Sequence, residues 1–333
     1  MAGWNLKSGS IKDTVNMSDE EYWRIFNVLF SSRSKKRNSY KFGFLKSILD
    51  NLFNAKETNN DYYISYRSIF IKFTENYWNL ITKYNLRQIR KSSQADSSAI
   101  EKIIRRICDS DHYSQLEFDS LNNKDKSLLI KEVEKECKRY VVGALYSDLE
   151  GKLYGFDLNG KGIFLSKEGY IFLLKYKPEI EKINYYEWAK FLEEVNEDNV
   201  SKILDKLELS TPRRNDLSMY REILYKEFEE NNCFYCGKRL SKSIHVDHLI
   251  PWSFTKNDKI WNFVLSCPAC NLKKSDNLVS EEYIDQIIER NRKLSKLNIA
   301  LVKNEFETYN EGTYKNIWNY AKMGGFSEIK MKK

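Results

Sequence analysis

Residues 233–278 read CFYCGKRLSKSIHVDHLIPWSFTKNDKIWNFVLSCPACNLKKSDNL, and this stretch decides how the rest of the chain is read. It opens with one Cys-x-x-Cys pair, Cys233 and Cys236, and carries a second, Cys267 and Cys270. A pair on a tight turn puts two thiolates on one side of a zinc ion, and a second pair closes the tetrahedron. Four protein ligands leave no open position, so zinc held this way is structural. Its binding energy then becomes folding energy for a short module that lacks a large core. Ordinary buried cysteines are the alternative, but the paired spacing favours zinc. Cys108 and Cys137 have no such partners and read as core residues.

The chain has three histidines, and two of them lie between the pairs, in Ser243-Ile244-His245-Val246-Asp247-His248-Leu249-Ile250-Pro251-Trp252. Asn262 precedes the second pair and Asn271 follows it at once. Asp-His followed by Pro, then an Asn ahead of Cys-x-x-Cys-Asn and a Lys, resembles the HNH endonucleases of the ββα-metal fold. Within that group it is most similar to members whose metal site ends in Asn instead of His, as in the HNH module of RNA-guided CRISPR nucleases. The resemblance covers residues 230–278. It implies that His248 is the general base and that Asp247 and Asn271 hold a catalytic divalent ion. It further implies that Asn262 braces the loop carrying the base. With Asn271 in place of the family's last histidine, a hard ion such as Mg²⁺ or Mn²⁺ is favoured.

The residue types suit that chemistry independently. Phosphodiester hydrolysis needs an activated water, and imidazole, with a pKa near ~6.5, is available as a base at neutral pH. It also needs positive charge at the phosphate and the leaving oxygen, which an oxygen-ligated divalent ion with open positions supplies. Neighbours on an ideal strand face opposite ways, so for Asp247 and His248 to reach one site the strand must end or twist there. Asn271 is expected at the start of the short helix that carries the second cysteine pair. The alternative is a zinc module in which His248 merely packs. His245 could be a supporting ligand, a phosphate contact or a solvent-facing strand residue. Lys273 and Lys274 could grip flanking phosphates or form a solvated pair. Arg290 and Arg292, on a helix soon after the site, are further candidates for nucleic-acid contacts.

Outward from this core, 333 residues give room for two ordinary domains. A formal charge of +8 suits a polyanionic partner but is weak evidence alone. No signal-peptide pattern and no 18-residue apolar run is found, so a cytoplasmic protein without a membrane span is expected. Cysteines paired for metal, not for disulfides, agree with a reducing compartment. The fold class expected is α+β, mainly helical. Residues 1–212 form a mainly helical targeting or regulatory domain with a β insert near 140–174. Residues 213–325 form the HNH domain flanked by helices, and 326–333 a basic tail after Gly324-Gly325.

Within the first part, helices are expected at 17–30, 66–89, 99–107 and 185–208, with the 93–98 segment a candidate cap for the third. Strands are expected at 141–146, 153–156 and 163–165, joined by tight turns. Ser210 to Arg214 is the boundary candidate. Further helices are expected at 215–230, 280–297 and 298–322. Ser31 to Lys46 holds six basic residues, no acid, and interleaved Tyr40, Phe42 and Phe44. This is either a nucleic-acid surface or a solvated loop entering a helix. Arg87, Arg90 and Lys91 are expected to end the 66–89 helix. No second catalytic motif is found in 1–210, and His112 stands isolated.

Two functions of different classes follow. One is an endonuclease cutting double-stranded DNA, in defence against foreign DNA, with a homodimer or partner protein engaged through the N-terminal domain. The other is a non-catalytic zinc-stabilised DNA-binding or assembly module. Within the enzyme class, RNA is the rival substrate.

Overall fold

Some helices begin where the sequence supplies a cap. Ser18 and Glu21 form a reciprocal capping box that starts α1, Asp19–Phe30. Ser65 caps α3, Tyr66–Thr82, at the point where a strand hands over to it. The computed structural model describes residues 5–14, 16–91, 96–111, 116–197, 201–209, 216–241 and 243–331. His112, the first residues of the 93–98 segment and the Ser210–Arg214 boundary candidate lie outside the described residues. The protein is α+β and mainly helical. It divides into two compact units, Met1–Leu173 with Glu179–Pro212, and Leu174–Pro178 with Arg213–Lys333.

In the first unit α2 (Tyr40–Asp50), α3, α4 (Ala99–Asp111) and α5 (Asn123–Asp148) pack into one core. Phe44, Phe70, Phe73, Tyr77 and Trp78 are fully buried there. Truncating one such ring typically costs about 3–5 kcal/mol. A five-stranded antiparallel sheet, ordered β1-β4-β5-β3-β2, joins this core. Its strands are β1 (Ser8–Gly9), β2 (Lys56–Glu57), β3 (Asp61–Ser65), β4 (Tyr154–Asp157) and β5 (Gly162–Ser166). Helices α6 (Lys167–Lys175), α7 (Lys177–Val195) and α8 (Ile203–Leu209) follow.

The strand expected at 141–146 is instead the last turns of α5. Val141, Val142 and Leu145 extend the buried stripe of Leu129, Ile130, Val133 and Cys137 at steps of three and four. The two adjacent valines therefore yield to the longer helical period. The other two expected strands are β4 and β5. The 66–89 helix stops at Thr82, and Asn85 at φ 51° turns the chain away. Arg87, Arg90 and Lys91 therefore lie in the following loop. The 185–208 helix is two, α7 ending before Asn196, whose amide donates to the Leu192 and Arg87 carbonyls. The basic run is not one surface. Lys46 is buried between Asp50 and Glu181, and Lys41 pairs with Asp148 at 2.6 Å. Cys108 and Cys137 are buried, and burial lifts the Cys137 thiol to about 12.

The second unit centres on a two-stranded antiparallel ribbon followed by a helix. Its elements are β6 (His245–His248), β7 (Phe263–Ser266) and α11 (Pro268–Lys274). The expected 215–230 helix is a short α9, Ser218–Glu222, continued by a π-turn over Ile223–Glu227. A single turn, α10 (Trp252–Thr255), bridges the ribbon. Beyond it come β8 (Leu278–Val279), α12 (Glu281–Leu294), α13 (Ala300–Phe306) and α14 (Glu311–Met323). The expected 298–322 helix breaks because the Asn310 side chain accepts from Thr313 N–H and starts α14 afresh. The tail expected after Gly324-Gly325 is ordered over its described residues, which run to Met331. Residues 328–329 form β9, parallel to β8, and the Phe326 ring meets Phe254 edge-on.

Candidate active site and zinc centre

The first knuckle is a turn at 234–236. Gly237 takes φ 69°, a left-handed conformation that suits glycine, and its N–H donates to the Cys233 carbonyl at 2.8 Å. Phe234 N–H donates to Leu265 C=O, which lays the knuckle against β7. Cys267 is the N-cap of α11 and Cys270 lies within that helix. The four sulfurs lie within 4.8 Å of one another, with Cys236 and Cys267 at 3.9 Å. Zn–S bonds of about 2.3 Å in a tetrahedron require S···S edges of about 3.8 Å, so the donor set fits zinc. The Cys267 thiol is drawn down to about 7, chiefly by the Cys270 backbone N–H.

Strand β6 stops at His248, so Asp247 and His248 both border one cavity of about 470 Å³. Asn271, Trp252, Ser253 and Lys274 complete much of its wall. Asn271 lies in the middle of α11, not at its start, one residue past the Cys270 ligand position.

His248 is buried and its Nε2 lies 2.8 Å from Asp258 Oδ1. A ring nitrogen facing a carboxylate oxygen carries the proton, which leaves Nδ1 as the ring's acceptor. The edge of the same ring meets Phe263 at 4.6 Å between centroids. The Asp247 carboxylate accepts from the Tyr235 hydroxyl at 2.6 Å through Oδ2, and the Lys274 ammonium stands 3.5 Å from that oxygen. Burial, then the Asp247 charge, hold the Tyr235 phenol well above its ordinary range, so it is a donor. Asn271 donates from Nδ2 to His245 Nδ1 at 3.0 Å. Asp247 and Asn271 thereby each keep one oxygen, Oδ1, without a hydrogen-bond partner among the described residues.

Asn262 is buried. Its amide accepts from Ile250 N–H at 3.0 Å and donates to Ile250 C=O at 2.9 Å, while the Tyr314 hydroxyl donates to its Oδ1. The turn directly after His248 is thus tied to the start of β7.

The cations divide differently from the sequence expectation. Lys274 is buried beside Asp247 and does not reach out as half of a solvated pair. Arg290 is turned inward as well, donating to Phe263 C=O at 2.6 Å with Glu230 nearby, so it braces β7. A phosphate contact from Arg290 is therefore withdrawn. Arg292 is exposed but held by Glu311 and Glu289. Lys273 is exposed and donates to Lys330 C=O. Sequence reasoning missed Asp258 and Tyr235. Asp258 sits in the polar run Thr-Lys-Asn-Asp-Lys, and Tyr235 is hidden inside the first cysteine pair.

A ribbon and helix locked by thiolates, with imidazole, carboxylate and amide bordering one cavity, have the build of a metal-binding module of the nucleic-acid-processing class. Residues 233–277 match the HNH endonuclease family, and the chain carries an HNH endonuclease domain there. That domain marks a nuclease or nucleic-acid-binding function and, at the coarse level, a hydrolase. No curated protein and no solved structure matches the chain. Among the described residues no helix is long and apolar enough to cross a membrane.

Proposed function

We propose that the chain is a metal-dependent endonuclease that hydrolyses double-stranded DNA in defence against foreign DNA. The observation that carries this reading is the cavity shared by Asp247, His248 and Asn271. Asp247 Oδ1 and Asn271 Oδ1 would hold Mg²⁺ or Mn²⁺, a hard ion suited to one carboxylate and one amide oxygen. When bound, the ion supplies positive charge at the phosphate and the leaving oxygen. His248 Nδ1 accepts a proton from the attacking water as its oxygen bonds to phosphorus and the bond to the 3′ oxygen breaks. Solvent returns a proton to that oxygen, giving 5′-phosphate and 3′-hydroxyl ends. Asp258 holds the imidazole in the tautomer whose Nδ1 can accept, and Asn262 fixes the turn behind it. His248, Asp247, Asn262 and Asn271 are thus the proposed catalytic set, with Asn262 and Asp258 acting as positioning residues. Lys273 and His245 remain the proposed phosphate contacts nearest the site.

One site cuts one strand per event, so a double-strand break needs two subunits or two visits. Residues 1–212 are proposed to choose the target or restrain the nuclease, through a homodimer or a partner. The cytoplasm is the proposed location, since metal-binding thiols persist where they are kept reduced.

A second reading, a non-catalytic zinc-stabilised module, is favoured by one observation. The Lys274 ammonium beside Asp247 offsets part of the charge an incoming cation would use. Incubation of plasmid DNA with the protein and Mg²⁺ or Mn²⁺, comparing wild type with His248→Ala, separates the two. Cleavage lost in the variant supports the enzyme, and equal residual cutting in both supports the module. A parallel RNA digest decides between the substrates.

A further inference from the structure

The first unit holds an open cavity of about 880 Å³ that the nuclease reading leaves unused. One wall is the loop at 31–37, and the other is formed by α7 with Arg90. From these observations we infer that this cavity binds a compact, multiply phosphorylated ligand of the nucleoside triphosphate type, its phosphates held by Lys35, Lys36 and Arg37.

The charges lining the cavity are unequal on its two sides. On the α7 side each cation already has a carboxylate. Arg90 pairs with Glu194 and lies over the Phe191 ring, and Lys190 is 3.3 Å from Glu187. On the loop side no such pairing exists among the described residues. Lys35 and Arg37 are exposed and make no ion pair. Lys36 is half-buried over the Phe42 ring, and its ammonium donates only to the Ser31 and Ser34 carbonyls, at 3.1 and 3.2 Å. Two carbonyls occupy two of its three donors and no carboxylate contacts it, although Glu187 and Asp148 offset part of its charge at longer range. Burial, then Lys41, pull the Lys36 pKa down, so an anion arriving there relieves a standing cost. Three consecutive cations with free donors at one rim match the dense charge of a polyphosphate.

Two features restrict the size and kind of the ligand. Phe42 and Phe191 are 2% and 4% exposed, so neither presents a ring face for base stacking and recognition is ionic. Glu187 and Glu194 line the opposite wall and would repel a polyanionic strand laid along the groove. They would accept hydrogen bonds from hydroxyl or amine groups at the uncharged end of a small molecule. A volume of this size lies within the range of small-molecule sites, about 300–1,000 Å³.

The test is isothermal titration of the full-length chain with inorganic triphosphate, with ATP and with a short single-stranded oligonucleotide. Two double variants with equal change in net charge are compared, Lys35→Glu with Arg37→Glu, and Lys124→Glu with Lys131→Glu on the exposed face of α5. Both replace exposed side chains, and an unchanged melting temperature verifies that each has folded. Triphosphate and ATP should bind one site per chain. The first pair should weaken both at least about tenfold, as expected for losing charge-assisted contacts, while the second pair leaves them near wild type. Absence of binding, weakening shared by both pairs or by neither, or a response confined to the oligonucleotide overturns the inference. None of these readouts depends on DNA cleavage.

Discussion

Replacing Asp258 by asparagine keeps the shape of a side chain that is almost wholly buried but removes the charge facing His248. In the wild type, Nε2–H donates to the carboxylate at 2.8 Å, and the neutral ring is left with its acceptor at Nδ1. An amide can turn its NH₂ toward Nε2, which favours the opposite tautomer and puts the proton where the base must accept one. A hydrogen bond to a charged group contributes about 1.5–3 kcal/mol. At 1.36 kcal/mol per decade of rate, its loss predicts single-turnover cleavage slower by about ten- to a hundredfold. The assay is cleavage of an end-labelled duplex with enzyme in excess and metal saturating, so that the chemical step is observed. DNA affinity, measured separately in Ca²⁺ to block cutting, should stay near wild type, because Asp258 is buried behind the imidazole. A wild-type rate constant for Asp258→Asn, in a variant that melts normally, would refute the argument that this carboxylate sets the state of the base.

Three further outcomes are expected. Stripping the thiolate-bound metal with a strong chelator should release about one zinc per chain, read by elemental analysis, and abolish the cooperative melting of the second unit while the first still unfolds. Asn262→Ala leaves Ile250 N–H, Ile250 C=O and the Tyr314 hydroxyl without their shared partner, and chemical denaturation should show a loss of about 2–4 kcal/mol. Burial raises the pKa of Glu305 against the opposing pull of the Ile260 N–H, so the folded state holds that proton more tightly than the unfolded one. Its stabilising contribution is therefore present at low pH and is lost as pH rises through the folded pKa. Urea midpoints at about pH 5 and about pH 8 should show Glu305→Gln gaining on wild type as pH rises.

What the sequence made legible was short-range or chemical. Two Cys-x-x-Cys pairs need only a turn each to present their sulfurs. Asp247, His248 and Asn271 belong to a small set of residue types able to bind a hard cation and move a proton. Asp258 was not legible, since its meeting with His248 depends on the course of the 249–262 connection, and nothing in Thr-Lys-Asn-Asp-Lys marks which acid turns inward. The opposite error arose at Arg290 and Lys274. A cation read from sequence is assigned to solvent because burying it is costly. Here Phe263 C=O with Glu230, and Asp247, offset part of that cost from elements distant in the chain. The Val141 to Tyr146 segment failed for a different reason. Val141, Val142 and Tyr146 favour a strand, but the segment's steps of four continue a stripe that begins at Leu129, and a 26-residue helix outweighs three local preferences.

Zinc and the cavity are coupled more closely than two neighbouring sites need be. The hydroxyl that orients Asp247 belongs to Tyr235, which stands between Cys233 and Cys236. The amide that meets His245 belongs to Asn271, which directly follows Cys270. Asp247 is thus fixed by a residue within two positions of a thiolate, and Asn271 is itself one position from a thiolate. Loss of zinc would free both knuckles and release the Asp247 and Asn271 contacts at once, although neither residue touches the zinc ligands' metal. Activity should consequently fall with zinc occupancy in direct proportion, and adding Mg²⁺ should not restore it. A zinc-depleted preparation that recovers full cleavage on Mg²⁺ alone would show that ribbon and helix hold their register without the thiolates.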